Sequence, residues 1–193
     1  MTVRWYTAPL VLAALLPSAV ARPMTVPITA ASSEAVLVDE VAPAGPTGPA
    51  SEFVELRNVG AASIDISNWH VSVCVGKRVE TLATVPMGAL LAPRGQQGEY
   101  FLVASRYYDD QQATPDLVFQ SGYIPADGGV RLTDALTTTV DSVGFASTSP
   151  CTEIAPASMF PYSAVARDAN GTDTGDNAVD FTAQPPDPHN SLG

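Results

Sequence analysis

Apolar and polar positions alternate along residues 69 to 75. Trp69, Val71, Val73 and Val75 fall on one side, and His70, Ser72 and Cys74 on the other. This period of two predicts a strand with one buried face. Similar segments recur down the chain: AVLVDEV at 35–41, EFVEL at 52–56, the short Ile64-Asp65-Ile66 and RVETLATV at 78–85. EYFLVAS at 99–105 is apolar on both sides, as a central strand would be. LVF at 117–119, VRLTD at 130–134 and TVDSVGF at 139–145 follow. Gly144 inside the last of these predicts a bulge or a close backbone approach. SAVARD at 163–168 is the final full strand, with Val179 to Phe181 expected to pack behind it.

Turn-forming residues separate these runs. APAGPTGPASE forms a long loop after the first strand, and Pro93-Arg94-Gly95 forms a tight turn. Outside the first 21 residues no segment carries a 3.6-residue apolar period. Seventeen prolines and 14 glycines spread along the chain also disfavour long helices. Short strands at this spacing predict an all-β sandwich or barrel. Strand phase constrains one cysteine. Trp69 and Cys74 are separated by an odd number of residues, so on an unbroken strand they face opposite ways. With Trp69 in the core, a bridge from Cys74 ties a loop onto the outside of a sheet; a bulge between the two residues would reverse this.

The first 21 residues stand apart. Arg4 precedes the apolar run APLVLAALLPSAVA, and Ala19-Val20-Ala21 places small residues where a signal peptidase reads. Residues 1–21 are therefore expected to be a secretory signal cleaved near Ala21, the alternative being an uncleaved anchor helix. Residues 22–34 read as a flexible linker, 35–185 as one β domain and 186–193 as a C-terminal tail. No later segment has membrane-spanning length, so the mature chain is expected to be a secreted protein that does not insert into a membrane. The formal net charge is −11, and Lys77 is the sole lysine. Such a surface repels phosphate backbones and argues against nucleic-acid binding. In an exported chain the even pair Cys74 and Cys151 points to a disulfide, with two buried thiols as the other possibility.

Several segments in order resemble the lamin tail domain family. VLVDEV at 36–41 is similar to its first strand. EFVELRNVGAASIDISNWHV is similar to its hallmark: a strand, an Asn-x-Gly turn, an apolar-Asp-apolar triplet, then Trp at the start of the next strand. LAPRGQQGEYFLVAS, GGVRLTDALTTTVDSVGF and VARDANGTDTGDNAVDF followed by PPDPHN resemble later pieces, so the likeness runs over about residues 35–190. It implies an immunoglobulin-like β-sandwich of two packed, mostly antiparallel sheets. It supplies no catalytic residues. The heptad rod that precedes this domain in nuclear lamins has no counterpart here, so filament formation does not carry over.

Candidate chemistry is sparse. Glu52 and Glu55 are three apart on a strand and face opposite ways, which precludes a paired acid–base site built from these two alone. Glu55 falls in the phase of Phe53 and is expected to accept hydrogen bonds from loop amides. His70 and His189 are the only histidines, and no G-x-S-x-G elbow occurs. The sequence therefore predicts no enzyme and no cofactor. The one metal hypothesis is calcium at DANGTDTGDN, where Asp168, Asn170, Asp173 and Asp176 offer hard oxygens. The competing reading is a loop whose Asp and Asn side chains cap their own backbone. Three functions stand at this point. The first is a secreted, non-catalytic binding or structural module whose partner is a protein or a cell-envelope polysaccharide. The second is a calcium-assisted carbohydrate- or cell-envelope-binding module. The third, a secreted hydrolase, has the least support.

Overall fold

The computed structural model describes residues 1–2, 35–44, 48, 50–109 and 112–193. The expected signal at 1–21 and linker at 22–34 lie outside the described residues, save Met1 and Thr2.

Alternating apolar runs become strands close to where the sequence places them. β1 (Val36–Ala42), β2 (Phe53–Asn58), β7 (Tyr100–Ser105), β8 (Leu117–Phe119), β11 (Ala164–Ala166) and β12 (Thr182–Gln184) form a six-stranded sheet in the order β12-β11-β1-β2-β7-β8. β4 (His70–Val75), β5 (Arg78–Thr84), β9 (Gly129–Thr133) and β10 (Thr139–Gly144) form a four-stranded sheet in the order β10-β9-β4-β5. β3 (Ile64–Asp65) and β6 (Leu90–Leu91) make a small ladder. β7 and β8 pair in parallel, whereas the other described pairings are antiparallel.

The main core lies between the two larger sheets. Val36, Val38, Val41, Val54, Leu56 and Val165 from the first meet Trp69, Val71, Val73, Val130, Leu132 and Val143 from the second. Burying each such side chain stabilises the fold by roughly 1.5–3 kcal/mol. A smaller cluster of Phe53, Leu102, Ala104, Ala42, Ala113 and Ala164 covers part of the outer face of the six-stranded sheet.

β1 changes phase partway along. Its pairing with β2 shifts between Val38 and Glu40, leaving Asp39 as the extra residue of a β-bulge. Val36, Val38 and Val41 all reach the core as a result, while Asp39 and Glu40 are carried to the cleft side of the sheet.

β4 pairs with β9 without a break, so Cys74 lies on the outer face, opposite in phase to the core residues Val71 and Val73. It forms a disulfide with Cys151, 77 positions away. The bridge fastens a loop to the outside of a sheet, as strand phase predicts. Two cross-strand partners, Gly129 and Gly144, make room for that loop. A Cβ on Gly129 would lie 2.7 Å from the Cβ of Cys151, and one on Gly144 would lie 2.5 Å from the backbone nitrogen of Thr152. The close approach expected at Gly144 is therefore real.

One expectation fails. Residues 177–180 form a short helix, α1 (Asn177–Asp180), capped by the Asp176 side chain. Helical turning sends Val179 outward to 65% exposure, whereas Asp180 and Phe181 pack inward.

Candidate functional site

Glu52, Glu55 and the acidic loop at 168–177 arrive in three different places. Two are charged clusters with internal partners, and the third is an open groove.

The first cluster surrounds Arg167, whose side chain is fully buried. β11 pairs with β1 only at Glu40 and Val41, so the backbone of Val38 lacks a strand neighbour on that side. Side chains take its place. Asp141 Oδ2 accepts the Val38 N–H at 2.7 Å, and Arg167 Nε donates to the Val38 carbonyl at 3.1 Å. Arg167 Nη2 meets both oxygens of Asp141 at 3.0 and 3.1 Å, Nη1 lies 3.4 Å from Asp180, and the guanidinium sits 4.4 Å from the Phe181 ring centre. Asp141 belongs to the four-stranded sheet and Arg167 follows β11 of the six-stranded one, so this ion pair joins the two sheets. Burial pushes Asp141 up to about 6 against the pull of Arg167.

The candidate calcium residues lie around this cluster. Asp168 accepts from the backbone of Asn170 and Thr172 and from the Thr172 hydroxyl, which holds its carboxyl below the usual range. Asn170 Oδ1 accepts from Arg94, Asp173 from Arg167 and Gly175, and Asp176 from Ala178 in its capping role. Asp173 lies instead near Asp141 and Glu153, the three offering oxygens within 4.8 Å of one another; Arg167 already supplies positive charge to Asp141 and Asp173.

The second cluster lies on the outer face of the six-stranded sheet, in a cleft of about 230 Å³. Glu40 and Glu55 are direct cross-strand neighbours, an arrangement that sets like charges against each other. The C-terminal segment relieves it. The Asp187 N–H donates to Glu40 at 3.0 Å, and the His189 N–H donates to Glu55. Nδ1 of His189 is 3.5 Å from Glu55, and its ring stacks on Tyr100 with centres 4.8 Å apart. Arg57 lies over the same Tyr100 ring, 3.4 Å from Glu99 and 3.8 Å from Asp39. Burial raises Glu55 against the pull of His189 and Arg57. Burial also raises Asp39 to about 7 and Glu40 to about 8, with a contribution from the neighbouring Glu55 carboxylate in both. The Glu55 carboxylate raises His189 in turn. Glu55 therefore accepts a loop amide, as its strand phase predicts. The sequence does not reveal that the amide comes from the tail, 134 positions away.

The third place is the groove beside Glu52. Because β7 and β8 run parallel, both end at the edge where antiparallel β2 begins. The chain leaves that edge at Arg106-Tyr107 and at Gln120–Tyr123, and the two exits wall a groove of about 460 Å³. Ser105 braces it: its N–H donates to the Glu52 carbonyl at 2.9 Å and its hydroxyl donates to the Ala50 carbonyl. The Glu52 carboxyl lies at the groove, where Oε1 accepts the Ile124 N–H at 3.2 Å. Burial raises it to about 7. Tyr107 and Tyr123 stand at the rim, 58% and 56% exposed.

His70 lines neither the groove nor the outer cleft and bonds the Thr84 hydroxyl at 3.0 Å. Sequence reasoning missed Asp141, Arg167, Asp180 and the groove tyrosines. The first two had a readable signal, since a charge inside or just beyond an apolar strand run needs a buried partner.

Two face-packed sheets with a tryptophan in the core define an immunoglobulin-like module. A family model for the Lamin Tail Domain matches residues 29–147, more than half of the chain, and the protein belongs to that family of non-enzymatic domains. The match stops before Cys151, β11, α1, β12 and the C-terminal segment. No curated protein matches the chain.

Proposed function

We propose that this chain is a non-catalytic binding module that works outside the cell, with a protein or a cell-envelope polysaccharide as its partner. One observation carries the reading. Asp141 is held by Arg167, and Glu40 and Glu55 by the C-terminal segment, whereas Glu52, with the Ile124 amide on one oxygen, faces an open, tyrosine-rimmed groove. Among the described residues, His70 bonds the Thr84 hydroxyl and His189 pairs with the Glu55 carboxylate, so the two histidines do not complete one nucleophile–base–carboxylate set. The Cys74–Cys151 disulfide supports an oxidising destination.

Export is tested by recovering the native protein and measuring its mass and thiol content. The expected species begins after Ala21 and has no free thiol; retention inside the cell would overturn this part. Non-catalysis is tested with nitrophenyl ester and glycoside substrates. Turnover that disappears in Glu52→Gln would show the groove to be an active site. The calcium-assisted version predicts a melting temperature that rises with calcium and falls with chelator. The internal hydrogen bonds of Asp168, Asp173 and Asp176 favour the metal-free version.

A further inference from the structure

We propose that the groove between Arg106-Tyr107 and Gln120–Tyr123 is a sugar subsite for a neutral hexopyranose unit of a glycan chain. In it a pyranose C–H face lies on a tyrosine ring, and sugar hydroxyls donate to Glu52. This rests on the binding-module reading and names the ligand of its site.

Four features argue for that ligand. The volume of about 460 Å³ is in the range of small-ligand sites. Tyr107 and Tyr123 present amphipathic rings at its rim, apolar on the face and polar at the tip. Glu52 is only 6% exposed yet lines the groove. One of its oxygens accepts the Ile124 amide, and a carboxyl has further acceptor capacity for hydroxyl donors. Gln120 and Ser121 add donors and acceptors on the same wall.

Charge selects against anionic glycans. The chain carries a formal charge of −11. The one cation among the lining residues, Arg106, lies 4.6 Å from the Tyr107 ring centre and donates to that tyrosine's hydroxyl. The hollows along Phe160–Ser163 are also aromatic, but they are walled by proline, alanine and methionine and have no carboxyl among their lining residues. Ser163 and Gln184 give them some polar lining, but they lack the buried carboxyl acceptor that Glu52 supplies to the groove.

Calorimetric titration of the full chain with hexaoses of β-1,4-glucose, β-1,4-mannose and β-1,4-N-acetylglucosamine tests the proposal, with polygalacturonate as the anionic probe. At least one neutral hexaose is expected to bind with a Kd of about 0.1–1 mM. Tyr107→Ala and Tyr123→Ala should each weaken it by about tenfold. Glu52→Gln should weaken it severalfold, and Tyr162→Ala should leave it unchanged. Retained melting temperatures confirm that these variants fold. The proposal falls if no neutral hexaose binds below about 10 mM, if the tyrosine variants bind as well as the parent, or if polygalacturonate binds better than the neutral sugars. A protein partner bound equally by the parent and the double tyrosine variant would keep the module reading and remove the sugar subsite. A hexaose that binds and is then cleaved would keep the subsite and remove the non-catalytic reading.

Discussion

Two buried arginines sit 110 positions apart in this chain's numbering, Arg57 and Arg167, and each lies over an aromatic ring between carboxylates. They differ in how completely they are satisfied. Arg167 is inside the sandwich, and every nitrogen of its guanidinium has a hydrogen-bond acceptor. Arg57 is on the outer face of one sheet. Among the described residues its Nε has no hydrogen-bond partner, nor has Oδ1 of Asp39, 3.8 Å from its Nη1. A buried ion pair contributes when geometry and supporting hydrogen bonds offset desolvation. Arg167 meets that condition and joins two sheets. Arg57 meets it only in part, and the raised carboxyls around it show that neutral forms are favoured there.

Removing each arginine should separate them most. Arg167→Leu leaves Asp141 and Asp180 buried without a cation, and the expected loss is about 3–5 kcal/mol of unfolding free energy. Arg57→Leu leaves Asp39 and Glu99, of which Asp39 is already inclined to take a proton; the expected loss is about 1–2 kcal/mol. Urea denaturation near pH 7 measures both. Equal losses would mean that hydrogen-bond satisfaction does not distinguish the two sites.

The pH dependence should separate them next. In the unfolded chain Glu40 releases its proton near 4.5, whereas in the folded chain it holds it to about 8. Between those values the folded state binds more protons, so stability falls as pH rises and levels off above about 8. Asp39, raised to about 7, acts in the same sense. His189, raised by Glu55, does so too, since its contribution is present at low pH and lost as it deprotonates. Arg57, Arg167, Asp168, Asp187 and Tyr100 also line this cleft and set its field. Asp141 gives a falling slope at lower pH, between 3.8 and about 6. Glu40→Gln should therefore flatten the melting-temperature profile between pH 6 and about 8 while leaving the acid limb. A profile unchanged by that substitution would place the titration elsewhere.

The two sites were unequally legible in the sequence. Period-two alternation placed the strands, and the phase argument between Trp69 and Cys74 held because β4 keeps its register along β9. The same argument was incomplete at Val38-Asp39-Glu40. One bulge there turns a regular alternation into two adjacent outward acids, and nothing local announces it. Long-range pairing was the larger gap. Asp187 and His189 reach Glu40 and Glu55 across 147 and 134 positions, and alternation cannot say which strand a tail crosses. The acidic loop was seen as a ligand set because its oxygens were legible and their partner was not; Arg167 lies one residue before it.

The C-terminal segment gives the finest comparison. Residues 187–189 touch the outer cluster through two backbone amides and one imidazole, with the His189 side chain 43% exposed. Solvent screening and the mobility of an exposed ring keep such a pair weak, so His189→Ala should lower stability by only about 0.5–1 kcal/mol. The local effect is expected to be larger than the global one. The His189 amide donates to a Glu55 carboxyl that also lies beside the imidazole, so losing the ring frees the segment to lift without separating the sheets. Hydrogen exchange should then quicken at amides 187 and 189, with amides of β1 and β11 beside Arg167 unchanged. Exchange that quickens equally at both places would show that the segment and the sandwich open as one unit, and the distinction between an outer clasp and an inner joint would fail.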